Sequence, residues 1–281
     1  MKNLRRLKKP SRVNLNTDEK EIGKMDGQKI EIAVIGRFQI GKSSLINCLL
    51  GRSAAKVGNG WKSETPTCVT YMLPEDILLN DTPGFDDKEA RDKDAEEAIQ
   101  RADCIVLVKD NNRSPDEVDL NWVHKIKDSR TFCPCLFVVN CVEGDRNRTR
   151  HWDPKSDFNI RFCEDIQKVF IAKNGFDMFV KIGGQCVLPV NACWAQYGLG
   201  LLEDAEKIEN IEDWLRHAGV REGDFKDEAL ARSNFSILRE FIESIRIELL
   251  ANFLNRKDQV IRCLIDSFCE EFAKRLSWRS K

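Results

Sequence analysis

The segment from Lys29 to Leu50 limits what this chain can fold into more than any other. It begins as an apolar, β-branched run (Ile30, Ile32, Val34, Ile35), breaks at Gly36 and resumes as a helical pattern after Lys42. Between the two, Gly36-Arg37-Phe38-Gln39-Ile40-Gly41-Lys42-Ser43 fits the spacing G-x-x-x-x-G-K-[ST], with a strand before it and a helix after it. The spacing has a chemical reason. Two glycines let the main chain curl so that successive N–H groups point inward at phosphate oxygens. The following helix adds its free N–H groups and the positive end of its dipole. Lys42 reaches the β- and γ-phosphates, and the Ser43 hydroxyl is a magnesium ligand.

A second stretch, Asp76 to Asp87, supplies what such a loop needs beside it. A strand over Ile77 to Leu79 delivers Asp81 to its carboxyl end, and Pro83-Gly84 forces a turn. Ligands of doubly wound sheets collect at the carboxyl ends of strands, which places Asp81 next to the loop. There the carboxylate can hold magnesium through water, and the Gly84 N–H can meet a γ-phosphate. Further short apolar runs at Val69–Leu73, Ile105–Val108, Leu136–Val139 and Val187–Val190 read as strands, the first at the sheet edge. Helical segments at Ser44–Leu50, Lys88–Arg101 and Val118–Ile126 separate them, with Gly51 ending the first. The pattern predicts an α/β fold, a doubly wound, mostly parallel six-stranded sheet with helices on both faces, plus a C-terminal helical extension.

At 281 residues the chain has room for one large domain with an appendage, and we read it as three parts: 1–28, 29–254 and 255–281. The first is polar. Its first 17 residues carry Lys2, Arg5, Arg6, Lys8, Lys9 and Arg12 and no acid, which suits either an arm for anionic lipid or RNA or a solvated terminus. After a mixed acidic stretch with a short helix around Ile208–His217, Ser233 reads as the N-cap of a helix carrying Phe235, Leu238, Phe241, Ile242, Ile245, Leu249 and Phe253. The apolar period resumes from Val260 to Leu276. That helix either folds back on its own domain or offers a surface to a helical partner. A net charge of −1 points to neither nucleic acid nor acidic substrates as the main partner of the whole chain. Eleven cysteines without metal-ligand spacing read as small buried groups in a reducing cytosol, and no run of about 18 apolar residues is present to span a membrane.

With both motifs in place, the chain resembles the GTPases related to translation factors, most of all their Era-like and dynamin-like branches. The wording VIGRFQIGKSSLINCLLGR, ETPTCVTYM and NDTPGF carries the likeness, over roughly Lys29 to Ala195. The resemblance implies GTP or GDP and Mg²⁺ as cofactors. Gly36, Gln39, Ile40, Gly41, Lys42, Ser43 and Ser44 then line the phosphates, and Gly84 touches the last of them. Ser43 and Asp81 attend the metal, joined by a threonine of the next loop, Thr67 or else Thr65.

For base recognition the family uses N-K-x-D. Here Asn140-Cys141-Val142-Glu143 stands in its place, so Asn140 matches, Cys141 brings no ammonium, and Glu143 keeps a carboxylate on a longer arm. Guanine is the base this favours. The later turn maps to Asn191-Ala192-Cys193, whose main-chain N–H would meet the base oxygen. Phe85 stands where small signalling GTPases carry a water-orienting glutamine. The resemblance therefore makes Gln39, with Lys42 and Thr67, the candidate for hydrolysis, and implies stimulation by a partner or by pairing of two GTPase domains. A nucleotide-gated interaction module with little hydrolysis is the rival reading. An ATP-using enzyme is disfavoured, because no phosphoacceptor motif is visible.

Overall fold

The computed structural model describes residues 29–57, 67–85, 89–129, 133–142, 153–182 and 184–254. The expectations for the two termini (1–28 and 255–281), for Thr65 and for Glu143 lie outside those residues. Strand β1 (Ile30–Gly36) is apolar on both faces, which suits a central strand covered on each side. It pairs in parallel with β3 (Ile77–Asp81) on one side and β4 (Cys104–Asp110) on the other. Strands β5 (Cys135–Asn140) and β6 (Val187–Val190) extend the parallel sheet, and β2 (Val69–Leu73) runs antiparallel to β3 at the opposite edge. The order is β2-β3-β1-β4-β5-β6. The chain thus leaves β1 in both directions, and the crevice at its carboxyl end is the place where such sheets bind ligands.

Alternate residues of the strands feed two cores. Ile32, Val34, Leu79, Val106 and Val138 lie in one with α1 (Lys42–Leu50), while Ala33, Ile35, Ile105, Leu107 and Phe137 lie in the other with α2 (Glu89–Arg101) and α3 (Glu117–Ser129). Helices therefore cover both faces, as the alternation of elements predicts. Helix α1 stops at Gly51, whose φ of 64° lets its N–H and that of Arg52 fold back onto the Cys48 and Asn47 carbonyls.

Helix α4 (Asp157–Asp165) continues into a π-helical turn, Ile166–Ala172, and places Cys163, Ile166, Phe170 and Ile171 in the second core. The sequence reading assigned no element there. Helices α5 (Ala192–Gly198), α6 (Ala205–His217) and α7 (Phe225–Arg232) enclose a third cluster around Trp194, Tyr197, Ile211, Leu215 and Phe225.

Ser233 corrects an expectation. It closes α7 rather than simply opening α8 (Phe235–Leu254): its N–H bonds the Ala229 carbonyl and its Oγ donates to Leu230 O. The same Oγ accepts from the Phe235 N–H, and Asn234, at φ 56°, makes the bend between the helices. Phe235, Leu238, Phe241, Ile242 and Ile245 of α8 pack into the first core. Among the described residues no two cysteines form a disulfide, and no helix is long and apolar enough to cross a membrane.

Candidate phosphate-binding site

The loop Gly36–Ser43 leaves β1 at the switch point of the sheet. Each of its glycines is required by a close approach. A Cβ on Gly36 would lie 2.3 Å from Val108 O, and one on Gly41, at φ 89°, would lie 2.2 Å from Asn140 Nδ2. Gln39 is exposed and left-handed at φ 58°, a cost the loop carries in a non-glycine residue. Lys42 is buried and donates to Gly36 O at 3.0 Å and Arg37 O at 2.8 Å, so its ammonium sits across the mouth of its own loop. Burial pushes its pKa down to about 8, with Asp81 pulling the other way.

Ser43 Oγ donates to Asp81 Oδ2 at 2.8 Å, which brings the first and third motifs into contact. A hydroxyl and a carboxylate at one spot are the hard oxygen donors magnesium takes, and Lys42 is one residue away. Asp81 ends β3, and Thr82 fixes the turn behind it by donating its hydroxyl to Val34 O at 2.9 Å. Gly84 then passes so close to the phosphate loop that a Cβ would lie 2.5 Å from Phe38 Cα and N. The Phe85 N–H meets Gly36 O at 3.4 Å. The Phe85 ring is buried and stacks on Trp122 of α3, with centroids 4.6 Å apart, so it takes no place among the exposed groups of the site.

At the other end of the loop Asn140 closes the arrangement. Its Nδ2 donates to Ile40 O at 2.8 Å and its Oδ1 accepts from the Ala192 N–H at 3.0 Å. One buried amide thus ties the phosphate loop, the end of β5 and the start of α5 together. It also narrows the expectation that a main-chain N–H of Asn191-Ala192-Cys193 meets a base oxygen, since the Ala192 amide goes to Asn140 and the Asn191 amide to Ser233 O at 2.9 Å. Asn191 caps α5 by accepting from Trp194 N at 2.9 Å. Cys141 is buried at the lysine position of the base motif. Its thiol is pushed well up by burial, with Cys163 and Asp153 adding to the shift, so it is a packing group. Ser44 follows Ser43 in the first turn of α1, half-buried. Thr67 is exposed two residues before β2; the register Val69 to Asp81 puts it at the same end of the sheet.

Two features escaped the sequence reading. Asn111 Oδ1 accepts from Val142 N, Asn111 Nδ2 donates to Asn159 Oδ1, and Asn159 Nδ2 donates to Asp153 O, at 3.1, 2.9 and 2.8 Å. These amides join residues 142 and 153 across the segment between them. The other is the set of ion pairs that Arg37 makes with Asp116 and Asp119. A single asparagine after an apolar strand carries no signal of such a partner, since the partner is set by topology.

Residues 31–141 match the family described as 50S ribosome-binding GTPase. The Era GTPase of Rickettsia conorii is 27% identical over 205 residues, which cover 70% of this chain and 53% of that protein. The Der GTPase of a Sulfurihydrogenibium species is 28% identical over 197 residues, covering 65% and 43%. The chain spans about half the length of these relatives. Among solved structures, LeoA, a bacterial dynamin GTPase from ETEC, overlaps 94% of this chain and 43% of its own at 16% identity, with a TM-score of 0.48. The two phosphate-side motifs, the strand order and the family match agree, and over residues 31–141 the chain is similar to the phosphate-loop GTPase domains of Era and Der.

Proposed function

We propose that this chain binds GTP with Mg²⁺ and hydrolyses it to GDP and phosphate, and that it works as a nucleotide-dependent switch. The observation that carries the reading is the hydrogen-bonded junction of four loops at one end of the sheet: Lys42 on the loop carbonyls, Ser43 on Asp81, and Asn140 between Ile40 and Ala192. In this reading Lys42 exchanges its carbonyl partners for the β- and γ-phosphates, and the amides of Gly36 to Ser44, Gln39 and Ile40 included, cradle them. Ser43 and Asp81 would hold Mg²⁺, joined by Thr67 (or Thr65). The metal, when bound, neutralises charge that develops between the β- and γ-phosphates. Gly84 offers its N–H to the γ-phosphate, Asn140 keeps the base-side loop in register, and Glu143 accepts from a guanine. Gln39, exposed at the crown of the loop, orients water or a partner's charge.

Turnover by the isolated chain is slow in this account. Phe85 occupies the position from which small GTPases orient water, and it is buried against Trp122. Pairing of two GTPase domains, or another partner, supplies the missing group. That same burial favours the second reading, a nucleotide-gated interaction module with little hydrolysis. Phosphate release from GTP with Mg²⁺, compared with Lys42→Ala and followed as protein concentration rises, separates the two. Release above the control, with a rate per molecule that rises with concentration and falls in Gln39→Ala, supports the switch with assisted hydrolysis. Binding without release above the control supports the gated module.

A further inference from the structure

Arg37 follows the first glycine of the phosphate loop, and its side chain reaches the amino end of α3. Its guanidinium pairs with Asp116 Oδ1 and, through Nε, with Asp119 Oδ1 at 3.3 Å. Asp119 Oδ2 lies 3.3 Å from Lys109 Nζ near the end of β4. Arg37, Asp119 and Lys109 are almost wholly buried, while Asp116 is 48% exposed. The same two carboxylates cap α3 reciprocally. Asp116 Oδ1 accepts from the amides of Val118 and Asp119 at 2.9 and 3.3 Å, and Asp119 Oδ2 accepts from the Asp116 amide at 3.1 Å. The cap therefore aims both carboxylates independently of Arg37. Burial alone would lift the Asp116 carboxyl, but the Asp119 and Val118 amides and the Arg37 guanidinium outweigh it and hold it below the ordinary range.

The main chain of Arg37 serves the phosphate side. Its carbonyl accepts from Lys42 Nζ at 2.8 Å, and the residue forms a parallel bridge with Phe85 of the third motif. We infer that Arg37 is a positioning residue, whose ion pairs with Asp116 and Asp119 fix the stretch of loop that presents Lys42 to the nucleotide phosphates. The guanidinium fork suits the task, since it meets two carboxylates from different nitrogens and a lysine ammonium cannot span both. Removing it leaves Asp119 its Lys109 partner and Asp116 its access to water. The fold therefore tolerates the loss better than the loop does. The inference rests on the nucleotide-binding reading above.

The test is calorimetric affinity for GDP with Mg²⁺, with GTP turnover alongside, on the wild type, Arg37→Met, Arg37→Lys, Asp116→Asn, Lys42→Ala and the Arg37→Met/Lys42→Ala pair. Asp116→Asn keeps a good helix cap and removes the charge. Arg37→Met is expected to weaken GDP about tenfold, Asp116→Asn to act in the same direction, and Arg37→Lys to fall between Arg37→Met and the wild type. In the Lys42→Ala background the Arg37 change adds nothing, because it acts through that lysine. A purely structural arginine would lower the melting temperature and leave the affinity of the folded protein unmoved. Wild-type affinity in both Arg37→Met and Asp116→Asn overturns the inference, as does a loss that multiplies with that of Lys42→Ala. Should Arg37→Met not fold, Asp116→Asn carries the same decision. A wild-type chain that binds no nucleotide overturns the functional reading and this inference together, whereas a binding wild type matched by its variants overturns this inference alone.

Discussion

Replacing Asn140 by alanine removes one side chain and opens three segments at once. The amide is 3% exposed and bonds Ile40 O at 2.8 Å and Ala192 N at 3.0 Å, and residues 40 and 192 are each 2% exposed. Both main-chain groups would be left buried without their partner, at about 1–3 kcal/mol each, or about 2–6 kcal/mol together. Water entering the space lowers the figure toward its smaller end. The loss divides between the stability of the unliganded fold and nucleotide affinity, since the same amide sets the loop that takes the phosphates in the proposed function. At the lower bound, a loss falling entirely on binding weakens GDP about 30-fold. Asn140→Asp is the sharper companion. It keeps an acceptor for the Ala192 N–H but turns a carboxylate toward the Ile40 carbonyl, so it should do at least as much harm as alanine. Urea unfolding of the unliganded chain and calorimetry with GDP and Mg²⁺ measure the two shares. If Asn140→Ala stays within about 0.5 kcal/mol of wild type in both, or if Asn140→Asp outperforms alanine, the bridge is not what holds the loops.

Other expectations follow from single contacts. Gly84→Ala sets a Cβ against the Phe38 main chain, so stability should fall by about 1–3 kcal/mol and phosphate release by more than stability explains, read by denaturation and a phosphate assay. Phe85→Gln does not create a water-orienting group, because position 85 is buried on Trp122; hydrolysis should not accelerate, and stability should drop by about 2–4 kcal/mol. Lys42 has its pKa lowered to about 8 by burial, and bound phosphate favours its charged form. GDP binding should therefore take up close to one proton at about pH 9 and little at about pH 7, with affinity falling as pH rises through about 8; calorimetry in buffers of different ionisation heat reads the uptake, and Lys42→Met abolishes it. Burial raises the thiols of Cys48, Cys135, Cys141 and Cys163, the last to about 12. The fold keeps these protons where the unfolded chain gives them up, so their stabilising share is intact below the ordinary thiol pKa and is lost as pH climbs above about 8.5; alkaline unfolding curves show it.

The phosphate loop, the neighbouring Asp81 and the edge position of β2 were legible because each is a local pattern: glycine spacing, a strand ending in aspartate, alternating Val69, Tyr71 and Leu73. The central strands announced themselves as uninterrupted apolar runs, which follows from having helices on both faces. Helix α4 stayed hidden because its passage into a π-helical turn breaks the 3.6-residue period on which such readings depend. Helix α7 follows a mixed acidic stretch and buries little beyond Phe225 and Ala229, so its pattern is faint. The Arg37 ion pairs join residues 79 and 82 positions apart, and only the strand order brings the loop after β1 and the start of α3 together. The engagement of the Ala192 amide by Asn140 likewise depends on the pairing of β5 with β6.

The account stands or falls on a phosphate cradle at the end of β1, and titration of the full chain with GDP and Mg²⁺ against ATP and Mg²⁺ addresses it most directly. The predicted result is saturable GDP binding that Lys42→Ala weakens by about tenfold or more, and that ATP does not displace. No heat of binding with either nucleotide, or GDP binding indifferent to Lys42, would contradict it.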